Sequence, residues 1–244
     1  VDMICRFLNE RGIKATFFWL GREATKHPHL IREISDLEHE IGLHSYYHIR
    51  LNELDRKSFR ENTYKAKNIL EEITGQKITV YRAPGMSITE KTLWAFEVLA
   101  KLGIDHDSSL VTNQLIGNKR IPNNPLLIDY HDFLIREFPI TSIPFFGKPF
   151  NYAGSGFFRI TPYWYLHNKI TNAKYTMSYF HPRDFDVDIH KAIHNNPFLK
   201  FKYRLGAKNA RSKLSRLSEN VNWKTIKDIT KQYDWEDASR IKLL

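Results

Sequence analysis

The chain has 244 residues, of which 42% are hydrophobic and 26% are charged, a balance typical of one globular domain with a sizeable core. No apolar run approaches the ~20 residues that cross a membrane, and the single cysteine, Cys5, excludes an internal disulfide. The formal net charge is +10, and seven Lys and Arg without an acidic residue lie between residues 199 and 218, so the basicity is concentrated near the C-terminus.

Helical and strand patterns alternate through the first half of the chain. Apolar residues recur at helical spacing over 1–11, and a near-continuous apolar run over 13–20 predicts a buried strand. A helix over 28–37 and a short strand over 40–43 follow. Asp55 is placed to cap a long helix that Gly75 ends, and a strand is predicted over 78–82. Thr89 and Gly103 bound the next helix, which a strand over 104–107 follows.

This alternation with short links predicts a parallel sheet or an α/β barrel, in which catalytic side chains lie at the carboxyl ends of strands. Residues 111–162 are less regular, with strand-like pieces over 134–138 and 142–146, and we interpret them as an elaborated part of the same domain. Another strand-like run covers 175–180. The basic segment could face an anionic polymer, a membrane surface or nucleic acid, but a solvated helix face is the simpler interpretation.

The pair His44 and His48 is the strongest local signal of chemistry. Two histidines four residues apart lie on one face of a helical turn, close enough to share one metal ion. Their position just past a predicted strand end favours a metal site, and two surface histidines are the alternative.

Three further polar positions close predicted strands. Arg82 precedes the tight turn of Pro84 and Gly85 and would project a planar donor fork into the strand-end cleft, although a salt-bridged arginine would have the same pattern. His181 and Asp107 also follow or end predicted strands, and ordinary turns would explain them equally well.

Four segments, in order and spacing, resemble the successive motifs of the NodB-homology polysaccharide deacetylases, carbohydrate esterase family four: KATFFWLG, HEIGLHSYYH, ITGQKITVYRAPG and YFHPRDFD. Two more are similar to a bacterial branch found with exopolysaccharide export loci: EFPITSIPFFGKPFNYAGSGFFRITPYW and KFKYRLGAKNARSKLSRL. The resemblance covers almost the whole chain. It implies a single catalytic domain over 1–244 with the fold of a deformed (β/α) barrel, and a basic C-terminal extension at about 199–244.

The resemblance also implies an activity and a cofactor. The activity is a metal-dependent hydrolysis that removes N-acetyl groups from amino sugars of a bacterial polysaccharide and releases acetate. On this basis we expect an N-acetylated polysaccharide or oligosaccharide as the partner. His44 and His48 would bind the divalent metal, for which zinc is expected.

The remaining site residues follow from the same resemblance. Arg82 would hold the catalytic carboxylate, and the backbone N–H of Gly85, next to Pro84, would help to bind the oxyanion. His181 would be the general acid, with Asp107 as the carboxylate that orients it.

The sequence departs from the family pattern in two places. Arg183 stands where this branch usually has Trp, which would change the sugar-binding wall. The family's first motif, an aspartate-rich strand end with the general base and the third metal ligand, is not found. We therefore expect that strand and that Asp upstream of Val1, and expect the chain as given to be truncated and inactive.

Two alternatives remain open. A non-catalytic carbohydrate-binding module on the same fold would keep an aromatic cleft without base or metal. A nucleic-acid-binding protein would use the basic segment but would give the strand-end histidines no role, so no nucleic acid is expected as a partner. The compartment stays open between the cytoplasm and the cell envelope of a bacterium.

Overall fold

The computed structural model describes residues 2–189 and 196–243, and its centre is a seven-stranded sheet of order β1-β2-β3-β4-β8-β7-β11. All neighbouring strands run parallel except β7 and β8, which form an antiparallel hairpin. The predicted α/β fold with a mostly parallel sheet is confirmed. The strands of this sheet are β1 (Thr16–Trp19), β2 (Glu40–Leu43), β3 (Val80–Tyr81), β4 (His106–Asp107), β7 (Leu126–Tyr130), β8 (Phe133–Glu137) and β11 (Ser239–Leu243).

Helices connect the parallel strands and cover the sheet. Those of the first half are α1 (Asp2–Asn9), α2 (Gly21–Lys26), α3 (Pro28–Asp36), α4 (Arg56–Thr74) and α5 (Trp94–Lys101). Those of the second half are α6 (Ser155–Ile160), α7 (Tyr163–Thr171), α8 (Pro197–Arg204), α9 (Ala207–Ser218) and α10 (Ile226–Gln232). Val1, which the sequence assigns to the first helix, lies outside the described residues. Within the described ranges, none of the helices combines the length and the apolarity that crossing a bilayer requires.

Two small antiparallel hairpins complete the irregular middle of the chain. One joins β5 (Leu115–Ile116) to β6 (Lys119–Arg120), and the other joins β9 (Ile143–Phe145) to β10 (Lys148–Phe150).

The run over 175–180, predicted as a strand, is not one. It forms a single bridge between Gly154 and Tyr179. The backbone N–H of Met177 donates to the side chain of Thr141 at 2.8 Å, so this part of the run bonds to a side chain instead of a strand ladder.

The buried apolar residues form two main clusters. The first fills the space between the sheet and helices α2 to α5, and it includes Ile31, Leu43 and Phe59. The second lies under α1, α6, α7 and α9, and it includes Phe7 and Phe158. The segment predicted as a C-terminal extension contributes to both the second cluster, through α9, and the sheet, through the pairing of β11 with β7.

Candidate active site

Four adjacent strands end at the same level of the sheet. Leu43, Tyr81, Asp107 and Glu137 are successive partners across β2, β3, β4 and β8. Since parallel strands place their carboxyl ends at one edge, the residues that follow them meet there. His44 is the first of these residues.

His44 and His48 lie side by side, with ring centroids 5.0 Å apart and nearly perpendicular ring planes. The prediction that a helical turn brings them together is wrong. Ser45 and His48 have positive φ angles of 68° and 63°, and the backbone N–H of His48 donates to Oγ of Ser45 at 3.0 Å. A compact bend therefore produces the close approach that the spacing suggested.

Both imidazoles are in the state that a metal ligand needs. Burial lowers the pKa of His44 to about 3, and burial also lowers the pKa of His48. Nδ1 of His44 lies 2.7 Å from the carbonyl oxygen of Arg82, so it carries the hydrogen and leaves Nε2 with a free lone pair. The donor chemistry of the pair therefore fits a divalent metal such as zinc. Within the described residues, no group of three His, Cys, Asp or Glu could complete such a site.

Arg82 is buried beneath the histidines. Its guanidinium donates from Nε to the carbonyl oxygen of Ser108 at 2.9 Å and from Nη2 to Oγ of Ser108 at 2.6 Å. It also lies 4.3 Å from the centre of the Phe18 ring. Burial lowers the pKa of Arg82 to about 10, so the side chain stays charged at neutral pH. These contacts hold Arg82 rigidly, and the predicted contact with a catalytic carboxylate stays a prediction.

Asp107 and Glu137 form a buried carboxyl pair behind the strand ends. Asp107 accepts hydrogen bonds from the hydroxyl of Ser109 at 2.7 Å and from its backbone N–H at 3.1 Å. Burial raises the pKa of Glu137 well above its ordinary value, and the charge of Asp107 raises it further, which favours the protonated form of Glu137 beside Asp107. The expectation that Asp107 orients His181 is therefore corrected, because Ser109 and Glu137 are the partners of this carboxylate.

Asp184 is the carboxylate beside His181. Nδ1 of His181 lies 3.4 Å from Oδ2 of Asp184 and 3.2 Å from Oγ of Ser155, and the backbone N–H of His181 donates to Oδ2 at 2.8 Å. Burial alone would raise the pKa of Asp184, but hydrogen bonds from His181 and Ser155 lower it below its ordinary value. Asp184 was missed in the sequence, although an acidic residue three positions after His181, with Pro182 between them, is the pattern of a helix N-terminal cap.

His181 lies on the same side of the molecule as the histidine pair. After burial, electrostatic interaction with His181 is among the causes that lower the pKa of both His44 and His48. The charges of Arg50 and Arg183 also lower the pKa of His48. His181, Arg50 and Arg183 thus all act on the electrostatic environment of His48.

Gly85 lies in a 3₁₀ turn, Pro84–Met86, with a φ of 62° that a side chain would strain. A Cβ at this position would also lie 2.9 Å from Nε of Arg50. The backbone of Gly85 and the guanidinium of Arg50 are therefore packed against each other.

Two sequence families match successive parts of the chain. The family described as polysaccharide deacetylase matches residues 1–105, and the family described as a domain of unknown function, DUF3473, matches residues 108–231.

Curated proteins similar to this chain include two deacetylases. A peptidoglycan-N-acetylglucosamine deacetylase of Bacillus cereus is 29% identical over 123 residues, which are 46% of this chain and 44% of the relative. A chitooligosaccharide deacetylase of Azorhizobium caulinodans is 32% identical over 82 residues, which are 33% of this chain and 39% of the relative. The matched part is therefore less than half the length of either protein.

Solved structures share the fold. A Mycobacterium smegmatis protein assigned to the polysaccharide deacetylases superposes with a TM-score of 0.69 at 18% identity, over 100% of this chain and 79% of that one. A CE4 family pseudoenzyme from Bacillus anthracis superposes with a TM-score of 0.53 at 14% identity, over 100% of this chain and 64% of that one.

Proposed function

The chain belongs to the polysaccharide deacetylase family, and we propose that it hydrolyses N-acetyl groups of amino sugars in a bacterial polysaccharide, with a bound metal, and releases acetate. One observation carries most of the weight. The imidazole rings of His44 and His48, both with a lowered pKa, have centroids 5.0 Å apart at the carboxyl edge of the sheet, and a third histidine, His181, interacts electrostatically with both.

His44 and His48 would hold the metal, for which we propose zinc. When bound, such an ion would polarise the acetyl carbonyl and lower the pKa of a water molecule. Catalytic zinc usually has three protein ligands and one open position. Within the described residues, no third metal-binding side chain joins the pair.

His181 would donate a proton to the leaving amine. Its Nδ1 faces Asp184 and Ser155, which leaves Nε2 as the nitrogen that can hold and deliver a proton in the cleft. An amine is a poor leaving group without this proton. Asp184 is ionised and fixed by the backbone N–H of His181, so it keeps the imidazole ring in one orientation.

The turn at Pro84 and Gly85 would stabilise the negative charge that develops on the acetyl oxygen. A backbone N–H in a rigid turn is suited to this role because it does not reorganise during the reaction. Arg82 anchors the start of the turn through Ser108, and the hydroxyl of Ser109 accepts a hydrogen bond from the next backbone N–H, that of Ala83, at 2.7 Å.

The test uses the full-length protein and two readouts, zinc content by elemental analysis and acetate release from N-acetylglucosamine oligomers. His44→Ala and His48→Ala should each lower both. The matched controls are His27→Ala and His29→Ala, which change two exposed histidines of similar spacing on the surface.

Unchanged zinc content in both site variants would contradict the ligand assignment. Binding of the oligomers without zinc and without acetate release would instead favour a non-catalytic carbohydrate-binding module.

A further inference from the structure

The part of the molecule next to His181 has an unusual number of exposed aromatic side chains. On the hairpin of β9 and β10, Phe146 is 92% exposed and Phe145 is 57% exposed. The Phe145 ring lies 5.6 Å from that of Phe150, and the Phe150 ring lies 4.8 Å from that of Phe157 on α6. The hairpin and α6 therefore share one continuous apolar surface, to which Ile160 adds an exposed side chain.

Helix α8 is attached to α6 and adds further exposed apolar side chains. None of its residues is buried, and Phe198, Phe201 and Leu205 follow at intervals of three and four, so they share one face. Its C-terminal end is held against α6, because Arg159 donates to the carbonyl oxygens of Tyr203 at 2.7 Å and Lys202 at 3.4 Å. We define the aromatic surface by the exposed residues of these three elements: Phe145, Phe146, Phe157, Ile160, Phe198, Phe201 and Leu205.

The segments that carry the aromatic surface contain cations and no acidic residue. The sequence has no acidic residue between Glu137 and Asp184, and none between Asp188 and Glu219. The exposed cations of these stretches include one on the hairpin, Lys148, and three on α8, namely Lys200, Lys202 and Arg204. The surface therefore combines exposed Phe, Ile and Leu side chains with positively charged side chains.

We propose that the aromatic surface docks onto an anionic lipid bilayer. Phenylalanine and leucine beside lysine and arginine are typical of elements that lie in the interface of a membrane with negative headgroups. A symmetric contact with a second copy would bring positive charges of the two chains together, which opposes association. Sugar chains are generally held by polar side chains beside the aromatic rings, and this surface has no carboxylate to serve in that way.

Docking would bring the candidate active site close to the bilayer. Helix α6 carries part of the aromatic surface and begins at Ser155, whose hydroxyl lies 3.2 Å from Nδ1 of His181. The cleft would then face molecules that are carried at the membrane surface. The docking surface itself uses none of the residues proposed for hydrolysis, so it can be tested separately.

The experiment measures binding of the full-length protein to sedimented vesicles, either of phosphatidylcholine alone or of phosphatidylcholine mixed with phosphatidylglycerol. Wild-type protein should bind the mixed vesicles, and added salt should weaken the binding. The double variants Phe146→Ser/Phe201→Ser and Lys200→Glu/Lys202→Glu should each lower the partition coefficient at least about tenfold. The controls Tyr64→Ser and Lys57→Glu, both exposed on α4, should bind like wild type.

Circular dichroism of every variant confirms that the fold is kept, and acetate release checks that hydrolysis is retained. Absence of binding by folded wild-type protein would overturn the proposal, and so would equal loss in the α4 controls. Two further results would overturn the proposal, provided that no variant changed binding to vesicles. In one, the double variants would abolish binding to soluble alginate. In the other, they would abolish a concentration-dependent dimer.

Discussion

The three histidines of the cleft differ in their surroundings, and these differences separate their roles. His44 is enclosed and donates to the carbonyl oxygen of Arg82, so it stays neutral and suits a metal ligand. His181 has a partly exposed side chain with an ionised carboxylate, Asp184, at its Nδ1. That arrangement fixes the ring and leaves Nε2 available to exchange a proton with substrate.

We predict that His181→Ala lowers the turnover number about 10²-fold to 10⁴-fold, the usual contribution of general acid catalysis. Zinc content should stay unchanged, because this histidine is not a proposed ligand. Acetate release and elemental analysis on the same samples measure the two quantities, with His29→Ala as the surface control. If the variant lost zinc and activity in the same proportion, we would conclude that His181 is a metal ligand instead.

The pair of Glu137 and Asp107 gives a prediction about pH. Since burial raises the folded-state pKa of Glu137, its contribution to stability is full below the ordinary value of 4.5 and is lost as the pH rises through the folded-state value. Glu137→Gln keeps a donor toward Asp107 but cannot ionise. We therefore expect the free energy of unfolding of wild type to fall, relative to the variant, as the pH is raised above 4.5.

Denaturant unfolding of both proteins at a series of pH values measures this difference. Because the two carboxyls titrate together, the pH at which the difference changes belongs to the pair and not to one residue. A difference that stays constant with pH would show that Glu137 is ionised in the folded protein.

At the scale of elements, sequence patterns predict those parts that depend on local interactions. Asp55 accepts from the backbone N–H of Ser58 at 2.7 Å, and Gly75 has a φ of 66°, so both predicted ends of α4 are confirmed. The ends of β3 and the bend at His44 depend on neighbours that are distant in the chain. Apolar periodicity does not indicate which distant residues become neighbours.

The basic segment illustrates this difference between local pattern and tertiary contact. Its sequence suggested a solvated helix face, but Lys213 on α9 donates to three carbonyl oxygens at the end of α6: Phe158 at 3.4 Å, Arg159 at 2.6 Å and Thr161 at 2.7 Å. Arg216 lies 3.9 Å from the centre of the Tyr163 ring. These two cations attach α9 to α6 and α7, while Lys208 is exposed.

We predict that Lys213→Met destabilises the protein by about 1–3 kcal/mol, because it removes a charged donor from carbonyl groups that are left without a partner. Lys208→Met, on the same helix, should change stability by no more than about 0.5 kcal/mol, as is usual for surface positions. Thermal and denaturant unfolding measure both. Equal changes in stability for the two substitutions would support the interpretation of the whole segment as a solvated helix face.

At the scale of the whole molecule, the two sequence families share one sheet and one cleft. The first family match ends at residue 105, directly before β4, and the strands β7 and β8 of the second match continue the sheet from there. His44 and Arg82 come from the first part, whereas Ser155, His181 and Asp184 come from the second. The domain of unknown function thus contributes part of the candidate active site. The proposed chemistry needs residues from both family matches.

A metal held at this junction should therefore stabilise the whole fold. A ligand that binds only the folded state adds RT ln(1 + [L]/Kd), or about 2.7 kcal/mol at a free concentration of 100 Kd. We predict that zinc raises the melting temperature of the full-length protein and that a chelator reverses the increase. His44→Ala and His48→Ala should each abolish most of this increase, because either change removes a ligand, whereas His27→Ala and His29→Ala should retain it.

Differential scanning fluorimetry over a zinc titration measures the shift in melting temperature without any need for substrate or turnover. An increase that persists in both site variants, or that the surface controls remove, would place the metal elsewhere on the molecule.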